Sequence, residues 1–209
     1  QKPSKGPLFL GAGIYRPHLP WYAPRKYFDL YPIDKIRLPK RKSDDLDDVP
    51  RYGRNLARAN NGDEYDLVVA TGKYRQAVQA YLASISYVDS LVGRLLEAID
   101  ESPRGEKTVI VLWSDHGWHL GEKGHWHKTT LWEEATRVPL IISAPGIGRP
   151  GSRCNRPASL VDLYPTLIDL CDLPIIENLE GVNLVKWLKN PSAPRARPVV
   201  TTRGYGNHS

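Results

Sequence analysis

The side chains best able to do chemistry in this sequence crowd into one stretch, Ser114 to Lys128, which carries Asp115, His116, His119, Glu122, Lys123, His125, His127 and Lys128. Four of the chain's six histidines fall between His116 and His127. A carboxylate and an imidazole side by side can converge on one cation, and a lysine ammonium close by can meet an anionic substrate. The donor set is mixed: a carboxylate suits a hard ion such as calcium, whereas imidazole suits zinc, manganese or iron. Gly117 gives the backbone freedom to turn past the Asp115–His116 pair. An Asp-His-Gly tripeptide alone is also what a capped turn looks like, and the density of ligand-type side chains after it sets this one apart.

Those residues need elements to aim them. Thr108 to Trp113 is an apolar run, β-branched at four of six positions, and reads as a strand buried on both faces of a parallel sheet. The Asp-His pair then sits at its carboxyl end, where open α/β sheets bind ligands. Val138 to Ala144 reads as a second buried strand, and Pro7 to Ile14 and Pro198 to Arg203 as two more. Arg16 to Pro24 is a loop in which Pro17 and Pro20 bracket His18 and narrow its directions. Val78, Tyr81, Leu82, Ile85, Val88, Val92, Leu95, Leu96 and Ile99 recur at helical spacing, so Lys73 to Asp100 is predicted as one long helix with an apolar stripe. Shorter helices are expected near Arg25 to Tyr31, Thr129 to Thr136, Leu160 to Leu170 with Asp162 as N-cap, and Asn183 to Leu188. Pro32 to Val69 is polar throughout and is expected to be a long loop. The alternation of strands and helices predicts an α/β fold with a parallel sheet.

The words SDHGWHLGEKGHWHK, the following LWEEATRVPLIISAPG, and upstream YRPHLPW with SISYVDSLVGRLLEAID resemble the sulfatases of the alkaline phosphatase superfamily, most closely the iduronate 2-sulfatase group and its bacterial relatives. The likeness runs from about Pro7 to Leu188 and is low between Pro39 and Val69. It implies an alkaline-phosphatase-like sandwich, a mostly parallel central sheet flanked by helices, and hydrolysis of a sulfate ester, with a sulfated sugar or glycosaminoglycan as substrate. Asp115 and His116 match the family's metal-binding pair, which implies calcium. Lys128 matches the lysine that contacts the sulfate, and His18 the histidine of the Pro-His-x-Pro segment near the substrate. His119, His125 and His127 are expected to stabilise the loop or line the substrate pocket, and Lys123 is a loop lysine without a motif match.

Members of that family use a formylglycine made from the Cys or Ser of a Cys-x-Pro-Ser-Arg type motif. Cys154 is followed by Asn-Arg-Pro and Cys171 by Asp-Leu-Pro, so neither qualifies. With Gln1 as first residue and no methionine, residues 1–209 are expected to be the central and C-terminal part of one catalytic domain, truncated at both ends, with the nucleophile upstream. The resemblance implies a periplasmic or secreted location in bacteria and a lysosomal one in animals.

Composition narrows the remaining classes. A net charge of +6 suits an anionic substrate. The basic patch at Lys35, Arg37, Lys40, Arg41 and Lys42 is followed at once by Asp44, Asp45, Asp47 and Asp48, and such opposite blocks read as a solvated loop. No stacking aromatics stand among the basic residues, which argues against nucleic acid, and no apolar run approaches the length of a membrane span. Cys154 and Cys171 lack metal or redox spacing and read as separate thiols, with a disulfide the alternative. Oligomeric state has no signature here. Two other readings stay open: a phosphatase or phosphodiesterase of the same superfamily, and a non-catalytic polyanion-binding module.

Overall fold

Helical periodicity between Lys73 and Asp100 produces the dominant element, a helix over Tyr74–Asp100 that begins and ends where the apolar spacing does. It is the fourth of seven α-helices among the described residues: α1 Arg25–Phe28, α2 Arg51–Arg58, α3 Gly62–Ala70, α4 Tyr74–Asp100, α5 Glu133–Thr136, α6 Leu163–Leu170 and α7 Val185–Lys189. The strands are β1 Ile110–Trp113, β2 His119–Leu120, β3 Trp126–His127 and β4 Leu140–Ser143. The structure, a computed structural model, describes residues 6–58 and 62–203.

Two compact units form, Gln1–Leu38 with Val68–Ala98, and Pro39–Leu67 with Ile99–Ser209. In the first, α4 is held by side chains of the preceding loops. The Tyr27 and Tyr31 hydroxyls each lie 2.6 Å from a serine hydroxyl of α4, Ser90 and Ser86. Gln79 donates to the Tyr31 carbonyl at 2.7 Å, and Arg75 to that of Ile36 at 2.6 Å. Trp21 meets Tyr81 edge-on. Of the predicted stripe, Val78 is buried, whereas Ile85, Leu95 and Leu96 stay exposed.

In the second unit, β1 pairs with β4, and β2 with β3. Here the structure departs from the expected pattern. The β1–β4 pairing is antiparallel, with Trp113 opposite Leu140, and β1 is not buried on both faces: Leu112 and Trp113 are exposed. Pro7 to Ile14 forms no strand and is largely exposed, and Pro198 to Arg203 forms none either. A β-rich run becomes a ladder only where a partner supplies the hydrogen bonds, and these segments have no partner strand among the described residues. Within residues 32–69, expected to be loop, α2 and part of α3 appear, with only Leu56 and Ala57 buried on α2.

A small core of Leu184, Trp187 and Ala193 packs on Leu140, Ile142 and Val182. Beside it lies a buried polar node. Asp162 is the N-cap residue of α6, as expected, but its side chain makes no cap bond to that helix and instead closes a capping box whose cap is Ser159, three residues earlier. Its carboxylate accepts from the Ser159 amide at 2.8 Å and the Val182 amide at 2.7 Å, and pairs with buried Arg195 at 3.0 Å. Both cysteines are free and exposed. No described helix is long and apolar enough to cross a membrane.

Candidate active site

The chain leaves β1 at Trp113 into a loop whose backbone is fixed before its side chains do anything. The Ser114 hydroxyl donates to the His116 carbonyl at 2.8 Å, and the Gly117 amide to the Ala135 carbonyl in α5, also at 2.8 Å. A Cβ on Gly117 would stand 2.0 Å from the Glu134 carbonyl oxygen. The glycine is therefore required by close approach to α5 and not, as its position suggested, by a sharp turn. Ile110–Trp113, this loop and α5 together aim Asp115 and His116 from the carboxyl end of β1.

His116 is orientated by its neighbours. Its Nδ1 faces the Gly117 carbonyl at 2.7 Å, so Nδ1 carries the proton and Nε2 presents a lone pair. That lone pair faces the Asp115 carboxylate at 3.6 Å and accepts from the Lys128 ammonium at 2.8 Å. Three of the four predicted site residues thus meet at one point. Asp115 is open to solvent, whereas His116 and Lys128 are half-buried. The fourth, His18, belongs to the first unit, where its Nδ1 lies 3.0 Å from the Leu19 carbonyl and 3.1 Å from the Tyr15 hydroxyl.

Lys128 directly follows β3, which is joined to β2 by a compact turn with three residues in the left-handed region, Gly121 at φ 118°, Lys123 at 59° and Gly124 at 60°. The Glu122 carboxylate closes the turn by accepting from the Leu120 amide at 2.8 Å. His119, fully buried, faces the Glu122 carbonyl through Nδ1 and the Thr130 hydroxyl through Nε2, at 3.2 and 2.7 Å. Burial, with His125 beside it, pushes its pKa down to about 4, so the ring is neutral at pH 7.

Side chains and a carbonyl from residues far back in the chain hold this loop from outside. Lys123 pairs with Asp45 at 2.8 Å and also donates to the Asp45 backbone carbonyl at 3.0 Å. The hydrogen bond from Lys123 lowers the Asp45 pKa, and the same bond raises that of Lys123. His125 reaches the Ala57 carbonyl at 2.6 Å, and His127 the Glu64 carboxylate at 2.5 Å. Asp45, Ala57 and Glu64 thus clamp this loop through alternate residues 123, 125 and 127. The acidic block read as solvated loop was the available signal, since it holds a carboxylate for the lysine of the motif.

As a metal site, the pair is partial. Asp115 Oδ2 and His116 Nε2 can point at one ion, and the His116 tautomer leaves the needed lone pair. Among the described residues, no third His, Cys, Asp or Glu joins them as a metal-holding group. Two donors fit a part of a calcium shell, which takes about six to eight ligands in all, roughly four to six more than stand here.

The sulfatase family model matches residues 1–173. A sulfatase of Formosa agariphila is 39% identical over 208 residues, covering 100% of this chain and 41% of that protein. Human iduronate 2-sulfatase is 32% identical over 207 residues, covering 83% of this chain and 38% of that protein. A solved phosphonate monoester hydrolase from Silicibacter pomeroyi superposes with a TM-score of 0.73 at 30% identity, covering 88% of this chain and 37% of that one. Matched at this level, the chain is an α/β protein. It belongs to the sulfatase family. The chain spans about two fifths of the length of the curated relatives it matches.

Proposed function

We propose that residues 1–209 are the central and C-terminal part of a sulfatase catalytic domain that hydrolyses the sulfate ester of a sugar or glycosaminoglycan, as an iduronate 2-sulfatase-like enzyme. The observation that carries this reading is the meeting of Lys128, His116 and Asp115 at the end of β1, with Nζ 2.8 Å from Nε2. An ammonium beside a metal-type pair suits a tetrahedral monoanionic sulfate ester whose oxygens gain charge as the ester bond breaks. Similarity to human iduronate 2-sulfatase supports a sugar substrate.

In this reading Asp115 and His116 hold part of a calcium shell, and the ion, when bound, neutralises charge on the sulfate oxygens. Lys128 binds and orients the sulfate beside His116, and His18 matches the histidine that the family resemblance puts near the substrate. The nucleophile is a formylglycine elsewhere in the protein, because neither Cys154 nor Cys171 stands in a Cys-x-Pro-Ser-Arg type motif. The mostly parallel central sheet is completed there too. The exposed apolar side chains Leu8, Phe9, Leu10, Leu112, Trp113 and Ile141 support that, being more apolar surface than a finished domain leaves in water. Export to the periplasm, the exterior or a lysosome accords with the same resemblance.

A second reading is favoured by one observation, the superposition on a phosphonate monoester hydrolase. Turnover of matched aryl sulfate and aryl phosphonate monoesters by the full-length protein decides between them. Preference for the sulfate supports the proposal, and preference for the phosphonate replaces it with the second reading.

A further inference from the structure

His125 has no part in the reading above, yet its ring is fully buried between two backbone carbonyls. Nδ1 lies 2.6 Å from the carbonyl of Ala57 in the last turn of α2, and Nε2 lies 2.8 Å from the carbonyl of Lys128. A carbonyl oxygen only accepts, so at either contact the hydrogen must come from the ring. One side chain thus joins a helix to the main chain of the residue read as the sulfate contact.

The backbone around Lys128 needs such a support. His127 and Thr129, on either side of it, both lie in the left-handed region, at φ 78° and 75°. Neither is glycine, and β-branched Thr129 is especially disfavoured there, so surrounding contacts must hold this conformation. The His125 bond falls on the carbonyl between the two. Its neighbours in the clamp fix the rest of the segment: Lys123 is held by Asp45, and His127 by Glu64. Beyond the clamp, the Lys128 side chain runs to His116 at 2.8 Å.

We propose that His125 is a positioning residue for Lys128, tying its backbone to α2 so that the ammonium is presented to the substrate in one direction. The role deepens the functional reading and rests on it for the substrate, but not for the geometry. Two side chains separate α2 from the reacting group, and the loss of aim at such a contact is felt in the transition state.

The test uses the full-length protein with His125→Leu, which removes both ring nitrogens, and His125→Gln, which keeps an amide donor and serves if the leucine variant does not fold. Turnover of an aryl sulfate should fall about tenfold in kcat for either variant, with KM within about twofold. In a Lys128→Ala background the same His125 change should cost less than about twofold, because its effect passes through the lysine. A full, multiplicative loss in that background would overturn the proposal, since a residue that only stabilises the fold is indifferent to Lys128. If Lys128→Ala alone leaves activity intact, the functional reading falls. Hydrogen exchange at the Lys128 and Thr129 amides then decides the positioning claim by itself: faster exchange in His125→Gln supports it, and unchanged exchange overturns it.

Discussion

The ammonium of Lys128 lies 2.8 Å from Nε2 of His116, on the same lone pair that faces the Asp115 carboxylate. A cation and a metal ion compete for that lone pair. The 209-residue chain should therefore bind calcium only weakly, with no saturation at micromolar ion, because two donors are a minor part of its shell. Lys128→Ala should tighten divalent binding, since it removes a positive charge beside the donors. Calorimetry on the two chains checks both. Micromolar or tighter binding by the wild-type chain would show that the site is more complete than Asp115 and His116 make it.

His119 makes stability fall in mild acid. Its folded pKa of about 4 lies below its ordinary 6.5, so the unfolded chain takes up a proton first as pH drops. Stability should be full above about pH 6.5 and decline by about 3 kcal/mol on the way to about pH 4. Denaturant unfolding across that range measures it. In His119→Leu the slope should flatten, although the variant is less stable at neutral pH for lack of the Thr130 bond.

The Asp45–Lys123 clamp has a pH window set by the opposite shifts of its partners. Asp45 is depressed, so its contribution is present above the ordinary carboxylate range and is lost as pH falls below it. Lys123 is raised, so its contribution is present below the ordinary ammonium value and is lost only as pH climbs past it. The pair therefore acts between about pH 4 and about pH 10. Lys123→Ala, which the motif alone would rank as harmless, should cost about 1 kcal/mol and expose residues 39–58 to limited proteolysis at pH 7. An unchanged cleavage pattern would mean that these residues are held by other contacts.

Asp162 and Arg195 are both nearly inaccessible. Removing one partner of a buried pair strands the other charge, so Asp162→Ala should destabilise the chain by about 3 to 5 kcal/mol. Replacing both with apolar residues should cost less. A thermal-melt cycle over the two single variants and the double variant tests this, and a double variant as unstable as the sum would refute the pairing.

The α4 helix and the position of the Asp-His pair were legible because each is local: a spacing of three and four residues, or a polar word at the end of an apolar run. Lys128 was legible only through resemblance, since a lone lysine has no pattern of its own. The partner of β1 was not legible, because β-branched runs such as Thr108 to Val111 show a strand without saying which edge it meets. The clamp was hidden for a different reason. Asp45, Ala57 and Glu64 meet residues 123–127 across a long stretch of chain, one of them by a backbone carbonyl that has no sequence signature. Gly117 was flagged correctly as special but for the wrong cause, the α5 carbonyl being invisible in sequence.

The most direct test of the account is kcat/KM for a sulfate ester in the full-length protein carrying Lys128→Ala, beside Lys189→Ala at the exposed end of α7 as control. Loss of one preorganised charge from the transition state costs about 3 kcal/mol, roughly a hundredfold in rate. The account predicts that loss for Lys128→Ala with the fold intact, and a rate near wild type for Lys189→Ala. A Lys128→Ala enzyme as active as the control would contradict the claim that this loop presents its lysine to the sulfate.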